Sequence, residues 1–130
     1  MRFRGRTVRV AVPRFGENIA PCFEYTTTIA IFTVVNGVVD SQADFILQSR
    51  ERLDRLRLLK DQNVQVLVCG GIEAHFEQMV EAAGIEILSW MSGTVDEVLS
   101  SLIDGPGAIR KGEAAGAGRG RGAAGIGNGV

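Results

Sequence analysis

The spacing of apolar residues along the chain alternates between a two-residue and a three-to-four-residue period, which predicts a mixture of strands and helices. Five β-rich runs are predicted to be strands, at residues 7–12, 28–35, from 38 onward, 64–68 and 85–88. Three segments have helical spacing, at about 49–62, 73–83 and 94–104. The predicted order of elements is therefore β-β-β-α-β-α-β-α.

Several boundaries between these elements carry specific turn or capping residues. Asn36-Gly37 stands between two valine pairs and predicts a type I′ hairpin, because both centre positions of that turn need a positive φ. Pro13 is expected to close the first strand, and Gly84 to end the second helix. Thr94 and Glu97 have the spacing of a capping box, which predicts the start of the third helix.

The first predicted helix has an amphipathic pattern. Leu53, Leu56, Leu58 and Leu59 lie along one stripe, and charged residues, Arg55 among them, fall elsewhere around the helix. This pattern is typical of a surface helix that turns its leucines toward the core and its charges toward water.

The connections fix the expected order of the strands in the sheet. The hairpin makes the second and third strands antiparallel neighbours, and strands joined through a helix pair in parallel with right-handed crossovers. We therefore expect an α/β fold with an open, mixed five-stranded sheet of order 3-2-1-4-5, in which the second strand is antiparallel to the others. The chain leaves the first and fourth strands in opposite directions, so their carboxyl ends form a crevice of the kind in which open α/β sheets bind ligands.

One turn at that crevice has the residues of a binding site. Cys69-Gly70-Gly71 follows the apolar strand at 64–68 and opens directly into a helix. Two glycines let the backbone turn sharply, so we expect N–H groups and the positive end of a helix dipole to face an anion. Cys69 adds a soft sulfur donor, which suits a metal–sulfur species. The alternative interpretation is a tight turn with a buried structural cysteine.

The loop after the first strand, residues 14–25, opens into the same crevice and brings Cys22 toward Cys69. These two cysteines are therefore the candidate metal ligands, with a small core residue beside Phe23 as the alternative role for Cys22. His75, the one histidine, falls in the first turn of the second helix. It either leans over the rim of the crevice or points into solvent.

Composition and charge narrow the class of protein. The chain has 130 residues, 45% of them apolar and 22% charged, which suits one compact domain. Residues 1–105 carry ten basic and fourteen acidic side chains, and this balance argues against a nucleic-acid-binding body. Two widely spaced cysteines argue against a zinc site or a disulfide framework. With no membrane-length apolar run and no signal-peptide pattern, we expect a cytoplasmic protein with no membrane partner.

The end of the chain has a different composition. Ten of the seventeen glycines lie in residues 105–130, mixed with alanine and arginine. We expect a domain at 1–105 followed by a flexible tail at 106–130, whose deletion leaves the fold intact. Arg119-Gly120-Arg121-Gly122 raises the alternative of single-strand binding, but so short a repeat favours a solubilising or partner-tethering tail.

As a set, several segments resemble the dinitrogenase iron–molybdenum cofactor biosynthesis family over about residues 7–105. The matching segments are Val10-Ala11-Val12-Pro13, Ile19-Ala20-Pro21-Cys22-Phe23-Glu24, Ile31-Phe32-Thr33-Val34, Leu67-Val68-Cys69-Gly70-Gly71-Ile72, Gly84-Ile85 and Ser92-Gly93-Thr94-Val95-Asp96-Glu97-Val98-Leu99. Cys69-Gly70-Gly71 is similar to the Cys-Gly turn of the family, whereas Cys22-Phe23-Glu24 stands where many members have His-Phe-Gly.

The resemblance implies a fold, a function and a set of site residues. The implied fold is the three-layer α/β/α arrangement of the ribonuclease H-like motif. The implied function is that of a non-catalytic carrier, which binds an iron–sulfur or iron–molybdenum cluster transiently and exchanges it with assembly or acceptor proteins, in nitrogen fixation or a related pathway. The resemblance implies that the cofactor-binding residues are Cys22, Phe23, Cys69, Gly70 and Gly71, and His75 joins this set because of its place at the rim of the crevice.

Two other classes of protein are alternatives to a cluster carrier. A metal-dependent nuclease on a ribonuclease H-like fold needs clustered carboxylates, and the first strand, Thr7 to Val12, offers none. A regulatory or scaffolding module that binds another protein without metal is the stronger alternative. The sequence leaves open which cluster is carried and whether the protein is a monomer or a homodimer.

Overall fold

Six strands and three α-helices occupy residues 5–104, the part of the chain that the computed structural model describes. The strands are β1 (Thr7–Phe15), β2 (Asn18–Ile19), β3 (Thr28–Val35), β4 (Val38–Ile46), β5 (Val66–Val68) and β6 (Glu86–Leu88). The helices are α1 (Arg52–Asp61), α2 (Ala74–Ala82) and α3 (Val95–Asp104), and a 3-10 turn covers Phe23–Tyr25. The predicted tail at 106–130 lies outside the described residues.

The strands form one mixed sheet of order β4-β3-β1-β5-β6, with β2 paired to β1. Counting the five main strands along the chain, this is the predicted order 3-2-1-4-5. β3 is antiparallel to both β1 and β4, whereas β1, β5 and β6 run parallel. The sequence-based prediction of the fold class is therefore confirmed, and β2 is an addition that the sequence did not indicate.

The first strand continues past Pro13, which was expected to end it. Pro13 lies opposite Ile29 in the antiparallel pairing with β3, and its carbonyl oxygen accepts the N–H of Ala20 at 2.9 Å. The nitrogen and carbonyl of one strand residue point to the same side, so the missing N–H of Pro13 faces away from β3. The ladder with β3 therefore survives, and β1 carries the chain on to the crevice.

Helices cover both faces of the sheet and make three layers. On one face α3 packs over alternate residues of the central strands, with Val10, Phe32, Val68, Val98 and Leu102 in a common buried cluster. On the other face α1 and α2 pack over a second cluster that includes Ala11, Ile31, Leu67, Leu59 and Val80. Because β5 and residues 10–13 of β1 are buried on both faces, these apolar runs have no polar alternation.

The predicted turn and capping residues have the expected geometry. Asn36 and Gly37 have φ of 51° and 82°, as a type I′ turn requires. Thr94 and Glu97 form a reciprocal capping box, in which each backbone N–H donates to the other side chain at 3.1 Å. Among the described residues, no helix is long and apolar enough to cross a bilayer.

Helix α1 buries one charged side chain that its sequence pattern placed toward water. Arg55 is only 3% exposed, whereas Leu53 is 40% exposed. The guanidinium of Arg55 donates to the carbonyl oxygens of Thr26, Ser49 and Glu51 at 2.7–3.1 Å. These bonds tie α1 to the segment that follows the 3-10 turn, so the burial of Arg55 helps to position the loop that carries Cys22.

Strand β4 forms an open edge of the sheet. Eight of its nine residues are exposed, and Phe45 is half-buried. Phe45 packs against the cluster under α1 and α2, and the other residues of β4 meet solvent because the helices cover the sheet further in, over β1, β3, β5 and β6.

Candidate functional site

The loop after β1 and the turn after β5 meet at the carboxyl ends of the central strands. Cys22 lies opposite Gly71 as an isolated parallel bridge. The N–H of Gly71 donates to the carbonyl of Pro21 at 2.8 Å, and the N–H of Phe23 donates to the carbonyl of Gly71 at 2.9 Å. The loop and the turn thus meet as predicted, and backbone hydrogen bonds hold them against each other.

Gly70 and Gly71 are glycines because the loop approaches them closely. A Cβ atom on Gly70 would stand 2.6 Å from the carbonyl oxygen of Ala20, and one on Gly71 would stand 3.0 Å from that of Pro21. Neither glycine has a positive φ. The lack of a side chain at Gly70 and Gly71 lets the backbone of residues 20–22 pack directly on the turn. The turn is therefore occupied by a segment of its own chain.

The expectation of amides open to an anion is wrong at two positions. The N–H of Gly71 is taken by Pro21. The N–H of Glu73, the residue that precedes the first residue of α2, donates to a carboxylate oxygen of Glu24. A carboxylate at a helix N-terminus is stabilised by the N–H groups and the helix dipole, so Glu24 occupies the position that was expected for a ligand.

Cys22 is a half-buried thiol in contact with the same carboxylate. Its Sγ donates a hydrogen bond to Oε1 of Glu24 at 3.0 Å, and Glu24 is only 3% exposed. Burial raises the pKa of the Cys22 thiol, and the hydrogen bond and negative charge of Glu24 raise it further. Cys22 is therefore held as a protonated thiol at neutral pH.

Cys69 begins the same turn, and its side chain is fully buried in the cluster under α1 and α2. Its N–H donates to Leu88, and its carbonyl accepts the N–H of Met91, both at 3.0 Å. Phe23 is also fully buried, with its ring centroid 5.5 Å from that of Phe76. His75 is the second residue of α2, as predicted, and its side chain is exposed. Of the candidate residues, Cys22 and His75 are thus the side chains that solvent reaches.

The end of β6 adds residues that the sequence analysis missed. Trp90 is 64% exposed and has a φ of 64°, which is unusual for a side chain of this size. Its N–H donates to the carbonyl of Gly70 at 2.8 Å, and its ring lies over Gly71. Ser89 beside it is fully buried, and its Oγ has no hydrogen-bond partner among the described residues. Residues 89–91 of this turn include no Gly, Pro, Asn or Asp, the residue types that would have predicted a turn here from the sequence.

Replacing Glu24 with Gln is expected to make Cys22 more reactive at neutral pH. The change removes the negative charge that raises the thiol pKa, so the thiolate forms at lower pH. Each pKa unit by which the thiol is lowered gives about tenfold more thiolate below the pKa, and we expect a three- to tenfold faster alkylation at pH 7.5. The rate with iodoacetamide is measured from pH 6 to 10, with Cys22 identified by peptide mass.

Glu73→Gln is the matched control for this experiment. It removes the same charge from the neighbouring α2 N-terminus, but Glu73 is exposed and its carboxylate pairs with Arg52 at 2.9 Å. Its rate profile is expected to match that of the wild type. Profiles that coincide for Glu24→Gln and Glu73→Gln would contradict the assigned contact between Glu24 and Cys22.

An open mixed sheet with helices on both faces and a thiol-bearing loop at its switch point defines a class of small α/β/α domain. The family model described as dinitrogenase iron–molybdenum cofactor matches residues 6–105. The chain therefore belongs to this family, as the sequence resemblance indicated. No curated protein matches the chain by sequence.

Solved structures share the fold at low sequence identity. The chain is similar to the protein PH0822, with 17% identity, 82% of this chain and 96% of that chain covered, and a TM-score of 0.74. It is also similar to a candidate dinitrogenase from Methanocaldococcus jannaschii, with 20% identity, coverages of 81% and 94%, and a TM-score of 0.68. The apo orange protein from Desulfovibrio gigas has 19% identity, coverages of 79% and 91%, and a TM-score of 0.64.

Within residues 5–104, no three or more His, Cys, Asp or Glu side chains converge in an arrangement that would hold a metal ion. The donors at the crevice are the Cys22 thiol, the Glu24 carboxylate beside it and the buried Cys69 thiol. Sulfur donors of this kind suit a metal–sulfur species that brings most of its own ligands.

Proposed function

We propose that this protein is a non-catalytic carrier or accessory protein that binds an iron–sulfur or iron–molybdenum cluster transiently during metallocluster biosynthesis. The cluster is its cargo. The observation that supports this most directly is the half-buried thiol of Cys22, hydrogen-bonded at the switch-point crevice of a domain whose family is related to the dinitrogenase iron–molybdenum cofactor.

Cys22 would make the first bond to the cargo, since Cys69 is closed off in the core. For Cys69 to become a ligand the structure around the turn would have to open, because Cys69 is fully buried and the loop is bonded to Gly71. His75 on the rim, Gly70 and Gly71 beneath the loop, and ligands that the cargo carries would complete the contacts. Phe23 would act by anchoring the loop rather than by touching the cargo.

Proton release accompanies the first bond. The thiol must lose its proton to become a metal ligand, and Glu24 then loses the Sγ–H donor to its Oε1 atom. The cationic metal offsets the two adjacent negative charges only while it is bound. Uptake is therefore expected to be stronger at higher pH and readily reversible, which suits transfer to an assembly or acceptor protein.

The domain and tail would divide the work. The domain up to about residue 105 would hold the cargo, and the segment at 106–130 would act as a solubilising or partner-tethering tail. The proposed partners are proteins of cluster assembly, met in the cytoplasm, with no role for nucleic acid or membrane.

Replacing Cys22 with Ala is expected to abolish most cluster loading. Anaerobic reconstitution uses ferrous iron with sulfide in one arm and tetrathiomolybdate in the other. We expect the wild type to develop cluster absorbance, Cys22→Ala to lose at least 80% of it, and Cys69→Ala to lose less, because Cys22 is the accessible thiol. Bound iron, molybdenum and sulfide are counted per chain after gel filtration.

The double variant Cys22→Ala/Cys69→Ala controls for iron that binds elsewhere, and its unfolding temperature confirms that the domain is intact. If it loads as much metal as the wild type in both arms, neither thiol is a ligand and the proposal fails. The proposal also fails if the wild type loads no metal in either arm.

The second candidate function is a metal-free module that binds another protein. Three large aromatic side chains, Phe15, Tyr25 and Trp90, are 78%, 76% and 64% exposed and all lie at the carboxyl-end edge of the sheet. Exposed aromatic residues are typical of protein interfaces. This function is favoured if Trp90→Ala abolishes binding of a partner while Cys22→Ala/Cys69→Ala retains it.

A further inference from the structure

A separate cavity of about 550 Å³ opens at the opposite end of the sheet from Cys22. It lies where β1 begins and where α1 and α2 end, and its polar lining comes from Thr7, Arg9, Lys60, Asn63 and Gln65. The volume is in the range of small-molecule sites. Nothing in the proposed function uses this end of the molecule.

The charged residues that line this cavity are both cationic. They are Arg9 and Lys60, whereas residues 5–104 as a whole carry eight basic and fourteen acidic side chains. Neither cation forms an ion pair with an acid among the described residues. A concave surface with two cations that no acid within residues 5–104 pairs with attracts anions even on an acidic protein, because nearby charges act most strongly.

Arg9 is held rigidly by neutral acceptors. Its Nε donates to the carbonyl of Gln62 at 2.6 Å, and its two terminal nitrogens donate to Thr33 Oγ1 at 2.9 Å and to Gln62 Oε1 at 3.1 Å. A guanidinium has five N–H donors, so two are left with no acceptor among the described residues. A fixed, half-buried guanidinium with donors to spare is suited to an oxyanion.

The ends of α1 and α2 would repel an anion if their carbonyl groups faced the cavity, but those carbonyls have partners. At the end of α1, the carbonyls of Leu58, Leu59 and Lys60 accept the N–H groups of Gln62, Val64 and Asn63. At the end of α2, the carbonyls of Met79, Val80 and Glu81 are likewise bonded by the following turn. The negative ends of the two helix dipoles are thus partly neutralised where the cavity opens.

Apolar side chains line another part of the cavity. Val64 and Ile85 are only 6% and 4% exposed, so the exposed Ala83 supplies the accessible apolar side chain. A ligand with an apolar body would therefore gain contacts that bare phosphate lacks.

We propose that this cavity is a binding site for a small organic anion, with a phosphate or carboxylate head held by Arg9 and Lys60 and an apolar body against Ala83. The site is independent of the cluster-carrier function. Its distance from the crevice, at the other end of the same sheet, leaves both sites free to be filled together.

The test adds each of four probes to the full chain and measures binding by NMR of the backbone amides. Phenyl phosphate carries head and body, inorganic phosphate carries the head alone, benzyl alcohol carries the body alone, and benzoate replaces the phosphate by a carboxylate. We expect saturable shifts at Thr7, Asn63, Gln65 and Ala83 with phenyl phosphate, and at least fivefold weaker binding of the two partial probes. Comparing benzoate with phenyl phosphate identifies the preferred head.

Lys60→Gln is expected to weaken phenyl phosphate binding about fivefold, the effect of losing one charged hydrogen bond. Arg50→Gln removes the same charge from an exposed position outside the cavity and is expected to leave the affinity unchanged. Ala83→Leu narrows the cavity and is expected to weaken binding without altering the charge. Equal affinities for Lys60→Gln and Arg50→Gln, or shifts that fail to saturate in the wild type, would overturn the proposal.

Discussion

Gly70→Ala is expected to lower the free energy of unfolding by about 2–3 kcal/mol, the cost of forcing an extra methyl group into a packed site. The new Cβ would stand 2.6 Å from the carbonyl oxygen of Ala20 and 3.1 Å from that of Pro21. Both are backbone atoms, so the loop must move and the bonds that join it to Gly71 must lengthen. Urea unfolding followed by circular dichroism measures the change.

Gly84→Ala separates this clash from the general cost of replacing glycine. Gly84 has a φ of +86°, and no atom lies within 4 Å of its Cβ position, so backbone strain alone is expected to cost about 1 kcal/mol. If Gly70→Ala costs no more than Gly84→Ala, the loop does not pack on the turn as described.

Arg55→Leu is expected to lower the free energy of unfolding by about 2–4 kcal/mol. The guanidinium supplies four hydrogen bonds to the carbonyls of Thr26, Ser49 and Glu51, and leucine leaves buried acceptors without a donor. Since Thr26 follows the 3-10 turn, the loop with Cys22 is expected to loosen as well. Urea unfolding gives the first effect, and faster alkylation of Cys22 gives the second.

Arg57→Leu provides a matched comparison two residues along the same helix. Arg57 is exposed and pairs with Asp54 on the surface, so its loss is expected to cost less than about 0.5 kcal/mol. The burial of Arg55 would have no energetic role if the two variants were equally stable.

The fold could be predicted from local signals in the sequence. Asn36-Gly37 sets the hairpin, the Thr94–Glu97 box starts α3, and the handedness of crossovers then permits few strand orders. The prediction that Pro13 ends the first strand is wrong, because a proline removes a ladder hydrogen bond only on the side of β1 that its nitrogen faces. That side is decided by the register of β1 against β3, a long-range pairing that the residues around Pro13 do not show.

The site was only partly predictable for a related reason. The predicted strand order already placed Cys22 near the Cys69-Gly70-Gly71 turn, because the loop after β1 and the turn after β5 leave neighbouring strands at the same end of the sheet. It gave no sign that Glu24 would occupy the α2 N-terminus, because that contact joins residues 49 positions apart. Arg55 was placed toward solvent for the same reason, since helical period cannot show carbonyls that arrive from a distant loop.

The open edge of the sheet has a consequence for self-association. A second copy that paired antiparallel along the whole of Val38–Ile46 would centre on Gln42 and set Asp40 of each chain against Asp44 of the other. Like charges directly opposite destabilise a ladder, and Arg14, 3.7 Å from Asp44, offsets this only in part. The two aspartates therefore disfavour edge-to-edge pairing of two copies in that register.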